Sequence, residues 1–264
     1  MLINIEEYRS YLVRTEKSEN TIKSYLNILN QFIDFTESYG IKEVTIEDVL
    51  SFKKYLMSKK YTIATLNQKI ISICVYFNYV GRSDLKIKTE KIQNKSYKEF
   101  LNKEQYFELL THCLDNELKL FMITIACTGL RISETVALKK SDLGLKVIVI
   151  RNKGKNRVIG LPQELKEQLQ KIGNDEYIFI KSQSSYRNRL KTLARQTGID
   201  EKLVYPHAFR HFFAKQFLDV NGGEKVLVKL QRILGHSSLE TTMIYLQYSD
   251  EDIAEEMESF SIAA

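Results

Sequence analysis

The sequence predicts a mainly α-helical protein in two units, the second carrying a small β-hairpin. Three observations lead there. The first eighty residues form a series of capped, amphipathic helical segments. A polar, basic stretch without sustained periodicity follows over Ser83–Lys98. Beyond Phe100, two β-branched runs flank a glycine-bearing loop and are themselves set among helical segments. The chain is thereby divided into a helical unit over 1–82, a basic linker over 83–99 and an α+β unit over 100–264.

In chain order, the opening MLINIEEYRSYL is acidic and amphipathic. Ser18 caps a helix in which Ile22, Tyr25, Leu26, Leu29, Phe32 and Ile33 share one face, and Gly40 stops it. Thr45 and Asp48 form a capping box opening a helix through about Met57. Thr62 caps another, carrying Leu66, Ile70, Ile73 and Phe77 and ending near Gly81. In the second unit a helix from about Lys103 to Asp115 precedes Leu118–Cys127, apolar on most sides and so buried; Gly129 breaks it just before Arg131. Lys146–Ile150 and Arg157–Leu161 read as strands joined through Asn152–Asn156, and Pro162 ends the second. Helices follow at about Glu164–Lys171, Ser185–Gly198, Ala208–Asn221, Val226–Leu234 and Glu240–Tyr245. The tail, Asp250–Ala264, places Ile253, Met257 and Phe260 at helical spacing.

With 264 residues, 44% hydrophobic and 27% charged, the chain has enough apolar material for two cores. No apolar run reaches the length of a membrane span and the start lacks a secretory pattern, so a cytoplasmic protein without membrane partners is expected. Cys74, Cys113 and Cys127 are odd in number and widely spaced, as core residues in a reducing compartment would be. A net charge of +6 suits a polyanionic partner, though alone it identifies none.

The chemistry-bearing residues concentrate late: PHAFRH at Pro206–His211, LGHSS at Leu234–Ser238 and Tyr245 in TTMIY, with Arg131 earlier in TGLRISE. Singly, each has a plain explanation. Arg131 can pair with Glu134 one helical turn on, His236 can cap a helix, and Tyr245 is one of fifteen tyrosines. His207 and His211 have zinc-like spacing, but HAFRH lacks the acid of H-E-x-x-H and puts a guanidinium there instead, so no metal is expected. Together they suit one task. Two guanidiniums can fork onto the non-bridging oxygens of a phosphodiester while a phenol attacks phosphorus. A free phenol, with a pKa near ~10, is a poor nucleophile at neutral pH; cationic neighbours favour its phenolate and the charge that builds on the phosphoryl oxygens. Nucleotide-binding loops, a serine-nucleophile elbow and acidic metal clusters are absent from the sequence. Tyr248 is a rival nucleophile with poorer spacing from His236, and Tyr205 is disfavoured by its place before Pro206.

In order and local context, T-G-L-R-I-S-E at Thr128–Glu134, H-A-F-R-H at His207–His211, L-G-H-S-S at Leu234–Ser238 and Tyr245 in T-T-M-I-Y resemble the tyrosine recombinase (phage integrase) family, over essentially the whole chain. The resemblance implies a SAM-like helical core DNA-binding domain followed by an α+β catalytic domain. It implies a site-specific recombinase acting on double-stranded DNA, through a 3′-phosphotyrosyl intermediate, without metal or cofactor. On that footing Arg131 and Arg210 grip the scissile phosphate, His207 and His236 assist proton transfer and bind phosphoryl oxygens, Tyr245 is the nucleophile and Glu134 orients the arginines. The family's leaving-group lysine on a β-hairpin falls on Lys153, with Lys155 as rival because the loop is about one residue short. Lys86, Lys88, Lys91, Lys95 and Lys155 become DNA contacts, and the linker crosses the backbone of a clamped duplex. By default the tail helix packs on its parent domain; the resemblance implies instead that it docks on a neighbouring protomer in a synaptic tetramer, and that the enzyme works at the nucleoid. A short N-terminus, with no room for an arm-binding domain, points to short inverted sites, as in dimer resolution or small mobile elements. A type IB topoisomerase and a catalytically inactive DNA-binding regulator are the alternatives.

Overall fold

Side chains set the start of each helix in the N-terminal part of the chain. Asn4 accepts from the Glu7 amide at 3.1 Å to open α1 (Ile5–Arg14). Ser18 does the same for α2 (Glu19–Ser38) and Thr62 for α4 (Ile63–Tyr79). Thr45 and Asp48 close the expected reciprocal box before α3 (Ile46–Ser58). The four helices bury a common apolar core that includes Tyr8, Leu29, Phe32, Phe52, Ile70 and Phe77. Phe32 meets Phe52 and Phe77 edge-on at 5.0 and 5.6 Å. The computed structural model describes residues 4–91, 99–152, 155–221 and 225–246, and the chain divides into two compact units, Met1–Asn94 and Lys95–Ala264.

The start of the basic stretch is fastened to the first unit. A 3-10 turn, Ser83–Leu85, buries Leu85 in the helical core. The Asn67 amide donates to the Glu90 carbonyl at 2.8 Å and its oxygen accepts the Glu90 N–H at 2.7 Å. Lys53 donates to the Lys88 carbonyl and pairs with Glu90. Polar backbone without periodicity finds its partners here on the side chains of α3 and α4.

In the second unit α5 (Lys103–His112) ends before Asp115 because that carboxylate accepts the Leu118 N–H at 3.1 Å, capping α6 (Asn116–Thr128). Helix α6 buries Leu118, Leu120, Phe121, Met122 and Ile125, as its continuous apolar run predicts. The short α7 (Ile132–Thr135) follows, then β1 (Ile148–Asn152), β2 (Lys155–Ile159), α8 (Gln163–Leu169) and α9 (Gln183–Thr197). Next come α10 (Pro206–Asn221), with proline at its first position, α11 (Val226–Leu234), α12 (Glu240–Met243) and a 3-10 turn, Ile244–Leu246. Helices α8, α9 and α10 all pack on α6, and Phe121 stacks on Tyr186 at 4.2 Å.

The strands lie nearer their loop than expected, at 148–152 and 155–159 rather than 146–150 and 157–161. Asn152 pairs with Lys155, so polar residues assigned to a wide loop join the ladder instead. A two-residue connection suits the twist of antiparallel strands better than a five-residue one. Among the described residues no helix is long and apolar enough to cross a membrane, and no group of three or more His, Cys, Asp or Glu could hold a metal ion. The tail from Asp250 and Tyr248 lie outside the described residues.

Candidate active site

Two glycines shape the turns on which the site is built. Gly129 ends α6 with φ +64°, and a Cβ there would lie 2.6 Å from Phe213 Cδ1 and 2.8 Å from Leu234 Cδ2. The turn delivers Arg131 to the N-terminus of α7, where its amide donates to Glu134 Oε2 at 2.7 Å and its Nη1 to Glu134 Oε1 at 3.1 Å. Gly235 ends α11 with φ +65°, and a Cβ there would come 2.9 Å from Arg157 Cδ.

Arg210, on α10, joins these two turns. Its side chain has no exposed surface; Nη1 donates to the Gly129 carbonyl at 2.5 Å and Nη2 to the Leu234 carbonyl at 2.7 Å. Nη2 also lies 3.1 Å from His236 Nε2, and His236 Nδ1 lies 2.9 Å from Thr242 Oγ1. Tyr245 is buried, its ring 6.3 Å from that of His236 and 5.3 Å from that of His211. Its hydroxyl is buried without a hydrogen-bond partner among the described residues. His207 is exposed at the start of α10, edge-on to His211 at 4.6 Å.

A further guanidinium belongs to the cluster. Arg157, on β2, is buried; Nη2 pairs with Glu134 Oε2 at 2.5 Å and Nη1 donates to the Ile233 carbonyl at 2.5 Å. It thus ties the hairpin to both turns. Its inward place follows from the strand pairing. Ile148, Ile150 and Ile159 face inward while Val149 and Val158 are 51% and 57% exposed, and Arg157, opposite Ile150, occupies the inward phase. A charge in the buried phase of a strand requires a partner or a task. His211 is the other residue to which the sequence assigns no role; it lies buried between the rings of Phe100, His207 and Tyr245.

Three arginines share one nearby carboxylate, and the charges show it. Burial, then the nearby Arg131 and Arg157, lowers the pKa of Arg210 to about 10. Burial and the same cations, Arg210 foremost, hold His236 down at about 4, so its ring is neutral at pH 7. Burial raises the Tyr245 phenol, against the opposing pull of Arg210 and Arg131. Arg131, Arg157, Gln231, His236 and Ser237 line a cleft of about 760 Å³. Such a cleft favours an anion, since among the described residues three guanidiniums gather around one carboxylate.

The structure therefore brings Arg131, Glu134, Arg210, His236 and Tyr245 into one cluster, with His207 at its edge through His211. Lys153 and Lys95 lie outside the described residues, and of Lys155 only the backbone, paired in β2, is described. Lys86, Lys88 and Lys91 are exposed on the N-terminal unit.

Residues 99–252 match the phage integrase family, and residues 5–87 match the phage integrase N-terminal SAM-like domain. Tyrosine recombinase XerA of Pyrococcus furiosus is 29% identical over 278 residues, covering 96% of this chain and 92% of that protein. Tyrosine recombinase XerC of Herpetosiphon aurantiacus is also 29% identical, covering 94% and 91%. Among solved structures, the XerA recombinase crystal structure is 26% identical with a TM-score of 0.51, covering 96% of each chain. The fold is shared with XerH recombinase bound to difH in a post-cleavage complex, at 20% identity and a TM-score of 0.72 over 90% of this chain and 79% of that one. It is shared too with the Tn1549 transposon integrase in complex with transposon right-end DNA, at 19% identity and a TM-score of 0.68 over 99% and 100%. The matched span includes the residues of the cluster, and the chain belongs to the phage integrase family of tyrosine recombinases.

Proposed function

We propose that this chain is a site-specific recombinase that cleaves and rejoins duplex DNA through a 3′-phosphotyrosyl intermediate. The observation that carries the reading is the convergence of Arg131, Arg210, His236 and Tyr245, from separate segments, into one cluster whose Arg131 and His236 line a cleft. Arg131 and Arg210 would bind the non-bridging oxygens of the scissile phosphate and stabilise the charge that develops there. The Tyr245 oxygen would form a bond to phosphorus as the bond to the 5′-oxygen breaks, its proton passing to a histidine of the site. A hairpin lysine, Lys153 or its rival Lys155, would protonate the departing 5′-hydroxyl. The phosphotyrosyl bond retains the energy of the diester, so a 5′-hydroxyl can reverse the step without ATP.

The SAM-like unit, over residues 1–82, and the linker of residues 83–99 would hold the duplex against the catalytic unit of residues 100–264, with Lys86, Lys88, Lys91 and Lys95 on its phosphates. XerH and the Tn1549 integrase bound to their DNA sites support duplex DNA as the ligand here. The tail from Asp250 would dock on a neighbouring protomer in a synaptic tetramer, and the nucleoid is where such an enzyme would act. Incubation with a nicked suicide duplex from the neighbouring genome tests the reading: a covalent protein–DNA adduct is expected from the wild type and none from Tyr245→Phe. Relaxation of supercoiled plasmid lacking any such site would favour a topoisomerase instead, and site binding without an adduct an inactive regulator.

A further inference from the structure

We propose that Thr242 is a positioning residue whose hydroxyl holds His236 in the tautomer protonated on Nδ1 and so registers the segment bearing Tyr245 against Arg210. A guanidinium offers only N–H donors. Arg210 Nη2 faces His236 Nε2 at 3.1 Å, so that nitrogen must present a lone pair; a proton on it would point at another donor. Nη2 has a hydrogen available for this bond, since only one is used on the Leu234 carbonyl at 2.7 Å, and Nη1 serves Gly129. A neutral imidazole carries one proton, which therefore sits on Nδ1 and is donated to Thr242 Oγ1 at 2.9 Å.

Thr242 has no exposed surface and lies in α12, three residues before Tyr245. The relay Arg210–His236–Thr242 is thus directional and ends on the segment that carries the nucleophile. The other hydrogen bonds of His236 among the described residues do not select a tautomer, because both are to its backbone: its N–H donates to the Gln231 carbonyl and Gln231 Nε2 donates to the His236 carbonyl. Valine has the shape of threonine without the hydroxyl, so Thr242→Val would leave the Nδ1 proton without this acceptor and favour the tautomer that opposes Arg210. Serine keeps the hydroxyl. Arg131 and its carboxylate are not part of the relay, so DNA affinity should survive its loss while the rate of attack falls.

The test uses the full chain with ¹⁵N-labelled histidine. The four histidines are resolved by long-range ¹H–¹⁵N correlation at pH 7 without DNA, with His236→Gln for assignment. His236 is expected as the Nδ1–H tautomer in the wild type and in Thr242→Ser, and shifted toward Nε2–H in Thr242→Val. A second arm, which rests on the recombinase reading, measures cleavage of the nicked suicide duplex. There Thr242→Val should be slower by about tenfold or more at unchanged DNA affinity, with Thr242→Ser close to wild type. Nε2–H in the wild type, an unshifted tautomer in Thr242→Val, or wild-type cleavage by Thr242→Val would each overturn the proposal. If Thr242→Val does not fold, the wild-type tautomer and Thr242→Ser decide. If the wild type cuts no DNA, the recombinase reading fails while the tautomer result stands by itself.

Discussion

The N-terminal unit buries rings, whereas the catalytic unit buries charge. In the first, Phe32, Phe52, Phe77 and Tyr8 fill the core; among the described residues the uncharged side chains Thr36 and Ser72 buried with them each bond a carbonyl of their own helix, and the Tyr8 hydroxyl is buried too. In the second, Arg157, Arg210 and Glu134 are buried beside an equally dry apolar core. Burial of a guanidinium is tolerable where carbonyls and a carboxylate take its protons, and Gly129, Leu234 and Ile233 supply the carbonyls. The arginines still outnumber the carboxylate that serves them. The first unit buries apolar side chains and hydroxyls, and the second gathers cations around one carboxylate among the described residues.

The largest expected effect comes from blunting the buried charge without removing it. Arg210→Lys keeps a cation but cannot fork onto Gly129, Leu234 and His236 together, so cleavage of a suicide duplex should fall by about a hundredfold or more. DNA binding, measured by gel shift, should change far less. A cleavage rate near wild type would mean that the arginine is only a filler of the core.

Acid should separate the units next. His236 has its folded pKa depressed to about 4 from an ordinary 6.5, so protonation favours the unfolded state. Its contribution is present above pH 6.5 and is lost as pH falls toward 4. Denaturant titrations should show the catalytic unit weakening across that window and His236→Gln flattening the dependence. An unchanged slope in the variant would contradict the depressed pKa.

Inorganic phosphate should act more gently, and only on the charged cluster. At a few times its Kd it should stabilise the catalytic unit by about 1 kcal/mol, with the gain lost in Arg131→Ala. Equal stabilisation of both units would remove the distinction between them. The smallest effect is the converse control. Phe52→Leu should cost about 1 kcal/mol in the thermal unfolding of the N-terminal unit, leaving the phosphate response of the other unit intact.

Much of this architecture was legible in the residues, and the gaps have physical causes. Ser18, Thr45 and Thr62 announce their helices because capping is local chemistry. Arg131, Arg210, His236 and Tyr245 could be picked out because their residue types suit one reaction and sit in recognisable contexts. The strands run closer to their loop than expected: the loop's polar composition suggests width, while Asn152 and Lys155 pair within the ladder, and Ile150 still faces Arg157. Arg157 escaped because an arginine at a strand start reads as solvated; only the pairing with Ile150 places it inward. Thr242 could not be found at all from sequence, since its partner is set by the turn at Gly235.

The measurement that bears most directly on the central claim is the site of attachment. Wild-type protein trapped on a nicked duplex carrying its own recombination site should be digested and the nucleotide-bearing peptide sequenced by mass spectrometry. A 3′-phosphoryl group on Tyr245 is expected. A modified Tyr248, or attachment at any residue outside the cluster of Arg131, Arg210 and His236, would contradict it.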